Sequence, residues 1–111
     1  MDWRDDLLNR FPDWGTAEAL PRWPEVRSRL EVGQCVSGVV IARAPFGVWL
    51  DIDVDWPALL LVPEMKDARK RRIQFEDYPA LGATVEGWVV HMSEGKITIT
   101  QRIKNELEAN H

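Results

Sequence analysis

The chain has 111 residues, of which 45% are hydrophobic and 29% are charged. These proportions are typical of one globular domain and leave no room for a second core. No apolar run approaches the roughly 20 residues that cross a bilayer, which excludes a membrane span. The formal net charge is −4. An acidic chain does not coat nucleic acid by charge alone, so any such binding would use one face.

Cysteine content and the N-terminus predict a cytoplasmic protein. The acidic start of the chain lacks the apolar stretch of a secretory signal. The single cysteine, Cys35, cannot form an internal disulfide, which fits a reducing compartment.

Residues 1–30 are predicted to form an N-terminal arm of short helices, because tryptophans and prolines are concentrated there in a charged background. Trp3, Leu7 and Phe11 follow one another at intervals of four and share one helical stripe. Pro24 can begin a second short helix. Such an arm has too little apolar surface to fold alone. We therefore expect it to pack on the rest of the chain, with a partner-binding arm as the alternative.

After the arm the pattern changes to short strands rich in valine and isoleucine. Five strands are predicted, at residues 34–42, 47–54, 58–62, 84–91 and 96–100. A helical insertion can follow the third strand, and residues 102–111 are predicted to form a C-terminal tail. This pattern favours an all-β fold, a five-stranded OB-type barrel over residues 31–101.

The second strand alternates between apolar and other side chains, so its two faces have different surroundings. Its apolar side must face the core, and Trp49, Asp51 and Asp53 then point outward. An exposed indole requires either a cover or a ligand.

Five segments resemble the S1 RNA-binding domain family. They are Val32-Gly33-Gln34-Cys35-Val36-Ser37-Gly38-Val39-Val40, Pro45-Phe46-Gly47-Val48-Trp49-Leu50, residues 60–65, Leu81-Gly82-Ala83-Thr84-Val85 and Lys96-Ile97-Thr98-Ile99-Thr100. The family has matching segments in the same order and with nearly the same spacing, beginning Val-Gly-x-x-x-x-Gly-x-Val and then Phe-Gly-x-Phe-Val. The resemblance implies an S1-like OB fold and RNA binding. It also implies that Phe46 and Trp49 stack on bases, although a core position is the alternative for Phe46.

Three positions depart from the family pattern. Leu61 stands at the family's histidine, Pro63 at its serine, and Ala58 at the glycine before that segment. The two acids beside Trp49 would also repel phosphates. These departures favour a second hypothesis, in which the barrel is a protein–protein interaction module that has lost RNA binding.

A cationic segment follows the third predicted β-strand and can contact the phosphate backbone of single-stranded nucleic acid. We call it the basic segment; its residues are Lys66, Arg69, Lys70, Arg71 and Arg72. Arg43, in the first inter-strand loop, could add to these contacts. The alternative is a solvated face balanced by nearby acids.

The sequence therefore predicts a small RNA-binding protein that prefers single strands. The predicted RNA-binding residues are Arg43, Phe46, Trp49, Lys66, Arg69, Lys70, Arg71 and Arg72. The hypothesis requires the Trp49 ring to be exposed on the same side as the basic segment. No nucleophile–base pair, phosphate loop or metal-ligand spacing is visible, so neither an enzyme, a cofactor nor a metal site is predicted.

Overall fold

The computed structural model describes residues 2–68 and 70–102, in which two short helices precede five strands. The helices are α1 (Trp3–Arg10) and α2 (Trp23–Ser28), and the strands are β1 (Cys35–Ala44), β2 (Gly47–Asp51), β3 (Pro57–Leu61), β4 (Thr84–Ser93) and β5 (Lys96–Thr100). The strands close into a barrel in the order β1-β2-β3-β5-β4. Only the β3–β5 pair among them is parallel. The predicted OB-type barrel is confirmed. No helix within the described ranges is long and apolar enough to cross a membrane.

Alternation along the strands fills the barrel with aliphatic side chains. Val48 and Leu50 of β2 point into it and meet Leu60 of β3 and Ile97 and Ile99 of β5, all of them almost completely buried. Residues facing each other across neighbouring strands share one side of the sheet. The register therefore leaves Trp49 on the outside of the barrel, as its parity predicts.

The second strand ends three residues earlier than predicted, at Asp51. Asp53 and Asp55 have positive φ angles of 67° and 61°, a conformation that breaks a strand and that aspartate tolerates better than most residues. The loop they form leads to Trp56, which is buried and donates its Nε1–H to the Gly95 carbonyl at 2.9 Å. We call this end of the barrel the Trp56 end. α2 covers it, with Trp23 packed on Trp56 at a ring-centroid distance of 5.3 Å.

The opposite end of the barrel, which we call the Phe46 end, carries the β1–β2 turn and the long connection from β3 to β4. The insertion predicted after β3 is two single 3₁₀ turns, Val62–Glu64 and Phe75–Asp77. The Tyr78 hydroxyl donates to the Pro45 carbonyl at 2.6 Å and ties the connection to the turn. Arg69 and residues 103–111, which include most of the predicted tail, lie outside the described residues.

The predicted first helix is confirmed, and it packs on the outside of the barrel. Asp2 caps it by accepting from the Arg4 amide at 3.0 Å, which satisfies one of the unpaired donors of the first turn. The helix stops just before Phe11, whose position ahead of a proline disfavours helical torsions. Leu7 and Phe11 are buried in a second apolar cluster, which also contains Ala42 of β1 and Trp49.

A close approach between β4 and β5 gives a direct test of the fold. A Cβ added at Gly87 of β4 would lie 2.6 Å from Ile99 Cγ2 and 2.9 Å from the Thr100 carbonyl oxygen. Backbone cannot move aside as a side chain can, so we expect Gly87→Ala to lower the free energy of unfolding by about 1–3 kcal/mol. Urea unfolding measures the change. Glu86→Ala, at the exposed neighbouring position, should change it by less than about 0.5 kcal/mol. Equal stability of the two variants would contradict this packing.

Candidate nucleic-acid interface

The Trp49 ring points away from the barrel but is not exposed to water. Only 9% of its surface is accessible. Trp3 of α1 stacks on it, with 6.1 Å between ring centroids and 22° between planes, and Trp14 meets it edge-on at 5.2 Å. The predicted exposure of Trp49 is therefore wrong. The physical reason is that the apolar stripe of α1 and the outward Trp49 each need a partner, and they cover each other.

Ion pairs hold the arm in this position. Arg10 of α1 donates to an Asp51 carboxylate oxygen at 2.8 Å. Arg22 pairs with Asp13 inside the arm and reaches Asp55 of the β2–β3 loop at 3.2 Å. Its hydrogen bond holds the pKa of the Asp13 carboxyl below the ordinary value, against a smaller effect of burial. Asp51, one of the two acids beside Trp49 that would repel phosphates, is thereby paired with an arginine of the arm, and so is Asp55.

Phe46 lies at the border of the covered cluster and remains accessible. Its side chain is 39% exposed, and its ring meets the edges of Trp3 at 5.2 Å and Trp49 at 6.5 Å. The core position that was the alternative for Phe46 is therefore not adopted. Its ring is available at the surface, in contact with the arm.

Beside this cluster the arm leaves an open cavity against the outer side of β3 and β5. The cavity has a volume of about 650 Å³, within the range of about 300–1,000 Å³ typical of ligand sites. We call it the aromatic groove; its walls are Trp3, Trp14, Gly15, Thr16, Ala17, Leu20, Phe46, Trp49, Trp56, Pro57, Leu59, Glu94, Gly95, Lys96, Ile97 and Thr98. It runs between the arm and the barrel from the β4–β5 hairpin to Phe46.

One polar group of the groove wall lacks a partner. The Nε1–H of Trp49 is buried, and no acceptor for it exists among the described residues. A buried donor without an acceptor costs about 1–3 kcal/mol. The packing of the arm on Trp49 therefore leaves one N–H donor, that of the Trp49 indole, without an acceptor next to the groove.

Arg43 is engaged inside the domain and is not part of an open face. Its guanidinium donates to the Phe75 carbonyl at 2.6 Å and lies 4.5 Å from the centre of the Phe75 ring. Arg43 faces Val48 across the β1–β2 pair, so it lies on the inner side of its strand, at the end of the barrel. It anchors the β3–β4 connection.

The basic segment lies beyond the Phe46 end of β3. Lys66, Lys70, Arg71 and Arg72 are exposed, while Arg69 falls outside the described residues. Arg71 pairs with Asp77 at 3.2 Å. The segment follows the 3₁₀ turn at Val62–Glu64, and that turn is fixed to the groove by a hydrogen bond from the Val62 amide to the Phe46 carbonyl at 3.0 Å. Phe46, which lines the groove, is thus joined through its backbone to the turn from which the basic segment continues.

The groove contains residues that the sequence interpretation did not single out, above all Trp14, Lys96 and Thr98. The sequence did contain a signal that could have indicated where the arm packs. The arm stripe and the outward face of β2 are two apolar surfaces without partners in one short chain, and their mutual packing would have brought the arm beside β3 and β5.

Comparisons with known proteins address the fold. No family model matches the chain, and no curated protein matches it. Solved structures do match the chain. GSP13 from Bacillus subtilis has 20% identity and a TM-score of 0.54, and the match covers 68% of this chain and 58% of GSP13. MJ1198 from Methanocaldococcus jannaschii has 16% identity and a TM-score of 0.52, over 64% of this chain and 90% of that one. A chain of the a/eIF2alpha-aDim2p-rRNA complex from Pyrococcus horikoshii has 21% identity and a TM-score of 0.56, over 72% and 53%.

The protein has the S1-type OB fold. The resemblance seen in the sequence segments is confirmed at the level of the fold. The chain spans little more than half the length of two of the matched chains, 58% of GSP13 and 53% of the Pyrococcus chain.

In this S1-type barrel the arm covers one of the two aromatic positions that the family motif marks and leaves the other at the surface. Trp49 carries the Trp3 ring, whereas Phe46 borders the groove. Leu61, at the family's histidine, is half-buried and pairs with Gly47. The surface still open on this side is thus displaced from Trp49 toward β3, β5 and the hairpin.

Two adjacent leucines of α1 test whether the arm is an integral cover. Leu7 is fully buried, whereas Leu8 is 38% exposed. We expect Leu7→Ala to lower the free energy of unfolding by about 2–5 kcal/mol, and to shift tryptophan emission to longer wavelength as water reaches Trp49. Leu8→Ala makes the same chemical change and should leave the emission wavelength unaltered. Equal effects of the two substitutions on unfolding and emission would show that the arm does not pack as described.

Proposed function

We propose that the protein binds RNA, with a preference for single strands, along the side of the barrel formed by Phe46, the aromatic groove and the basic segment. The observation that carries the proposal is an S1-type barrel with an open, aromatic-walled groove next to a cluster of exposed cations. One of the matched structures is a complex that contains rRNA.

The groove supplies what bases require. Stacking of one base on an aromatic side chain contributes roughly 1–3 kcal/mol, and every base has a suitable face. Phe46 presents such a ring at the open end of the groove. In a duplex the faces of the bases are hidden by their neighbours, so only unpaired bases can use these rings. The proposed preference for single strands follows from this geometry.

The basic segment supplies what phosphates require. Lys66, Lys70 and Arg72 are exposed beyond the Phe46 end of β3. Each phosphate that a cation neutralises releases counterions, which gives binding a steep dependence on salt. Local positive charge of this kind can attract phosphates even in a protein of net charge −4, because salt largely screens charges that lie more than about 10 Å away.

A double substitution of exposed cations tests the phosphate contacts. We expect Lys70→Ala with Arg72→Ala to weaken binding of a labelled oligouridylate and to reduce the slope of log affinity against log salt by about 0.7 for each phosphate that is no longer neutralised. Fluorescence anisotropy at several salt concentrations measures both. The control is Arg27→Ala with Arg29→Ala, an equal change in charge at exposed positions on and next to α2, which covers the Trp56 end.

The proposal is contradicted if wild-type protein leaves the anisotropy of the oligouridylate unchanged at low salt. It is also contradicted if a duplex of equal length binds more tightly than the single strand. A loss of the same size in the control pair would assign the effect to total charge and not to the basic segment.

A protein partner is the second candidate, and the covered Trp49 favours it. The arm fills the stacking position of the motif and pairs two of the nearby acids, while aromatic and arginine side chains are those that protein interfaces favour. This candidate requires a complex that survives nuclease and moderate salt. A partner that is released by nuclease treatment would eliminate it.

A further inference from the structure

We propose that the arm and the barrel together form a nucleobase pocket in the aromatic groove. An unpaired base lies against Trp14 of the arm and the outer side of β5, and Lys96 contacts its phosphate. This inference rests on the proposed RNA binding and deepens it, since it assigns the position of a base to residues of the arm.

The motif position for stacking is already filled. Trp3 lies on Trp49 with 22° between the ring planes, an offset-stacked arrangement of the kind that aromatic rings prefer. A base would need the same face of Trp49. While α1 is docked, a base therefore has to bind beside this stack and not on it.

The groove is shaped to hold a flat ligand with a chain leaving at one end. At the hairpin, Leu20 of the arm faces Gly95, where an added Cβ would make ordinary van der Waals contact, 3.8 Å from Leu20 Cδ2. The arm and the hairpin thus come near each other at the Trp56 end of the groove. The other end opens at Phe46, next to the turn that leads to the basic segment. A base can enter the pocket while its backbone continues toward the exposed cations.

The walls match a nucleobase in chemistry as well as in shape. Trp14 of the arm is half-buried and lines the groove together with Leu59 and Thr98 of the barrel, and the proposed base lies among these three side chains. Trp49 lines the same groove, and its buried Nε1–H has no acceptor in the described ranges. A base carries carbonyl and ring-nitrogen acceptors on its edge. A modest shift of the Trp3 ring, common at interfaces on binding, would bring this donor and such an acceptor together.

Charge at the hairpin end of the groove favours a nucleotide over an apolar peptide. Lys96 is exposed at the edge of the groove, and the basic segment continues from the opposite end. A proline-rich peptide also fits aromatic-lined grooves, but it has no use for cations at both ends. The groove is therefore assigned to a nucleobase with its phosphate.

Two substitutions that fill the groove from opposite walls test the assignment. Ala17→Phe fills it from an exposed loop of the arm, and Thr98→Trp from the outer side of β5. We expect each to weaken oligouridylate binding about tenfold or more and to lower the salt slope by no more than the one phosphate contact of Lys96, because the basic segment is unchanged. Thr84→Trp, at an exposed position of β4 that does not line the groove, is the control and should bind as wild type. Circular dichroism and thermal unfolding confirm the fold of each variant. Ala17→Phe, in the loop, tests the pocket if Thr98→Trp does not fold.

Ligand variants identify the source of the base. Uridine monophosphate and an oligomer of abasic sugar phosphates are titrated beside the oligouridylate. If the oligouridylate binds and the abasic oligomer does not, the pocket takes a base that belongs to RNA. Binding of the monophosphate as tight as that of the oligomer supports a free nucleotide in the same pocket.

Failure of this inference differs from failure of the proposed function. If wild-type protein binds no RNA, both fail. If it binds the oligouridylate and both groove-filling variants bind equally well, RNA binding stands and the pocket is refuted. Equal affinity for the abasic oligomer, or displacement of RNA by a proline-rich peptide and not by uridine monophosphate, also refutes it.

Discussion

The packing of α1 on the outside of the barrel determines what this protein can present to a ligand. Leu7, Phe11 and Trp3 form one apolar stripe, and they bury Ala42 and Trp49. Neither surface is stable in water alone, because an eight-residue helix is marginal by itself and an exposed indole on a sheet attracts partners. Each surface stabilises the other, and two ion pairs from the arm to Asp51 and Asp55 fix the orientation.

This one contact explains which aromatic side chains remain open at the surface. By covering Trp49 the arm removes the stacking position that the family motif marks, and by standing away from β3 and β5 it creates the aromatic groove. The arm also pairs acids that would otherwise repel a phosphate backbone. The result is an acidic protein with an open aromatic surface that reaches Phe46, whose carbonyl is bonded to the turn from which the basic segment continues.

Much of the fold could be predicted from the sequence, since alternation of apolar residues and the order of five short segments determine an OB-type barrel. The end of β2 could not, because alternation continues through Ile52 and Val54, which remain buried, while the positive φ angles of Asp53 and Asp55 end the strand. The side of the strand on which Trp49 lies was predicted correctly, but its exposure to water was not. The side follows from the local alternation along the strand, whereas exposure depends on where a separate helix docks. Arg43 is a similar case, since its contact with the Phe75 carbonyl joins residues 32 positions apart.

The most direct measurement is the behaviour of the tryptophan indole N–H groups during an RNA titration followed by nitrogen-resolved NMR. The chain has six tryptophans. Trp3, Trp14 and Trp49 line the groove beside the covered cluster, and Trp23 packs on Trp56 at the Trp56 end. We expect an oligouridylate to shift the Trp14 and Trp49 indole signals. The signal of Trp23, which begins α2, packs on Trp56 and is absent from the groove wall, should stay unchanged. Bound RNA that leaves Trp14 and Trp49 unperturbed would show that nucleic acid does not enter the groove beside the docked arm.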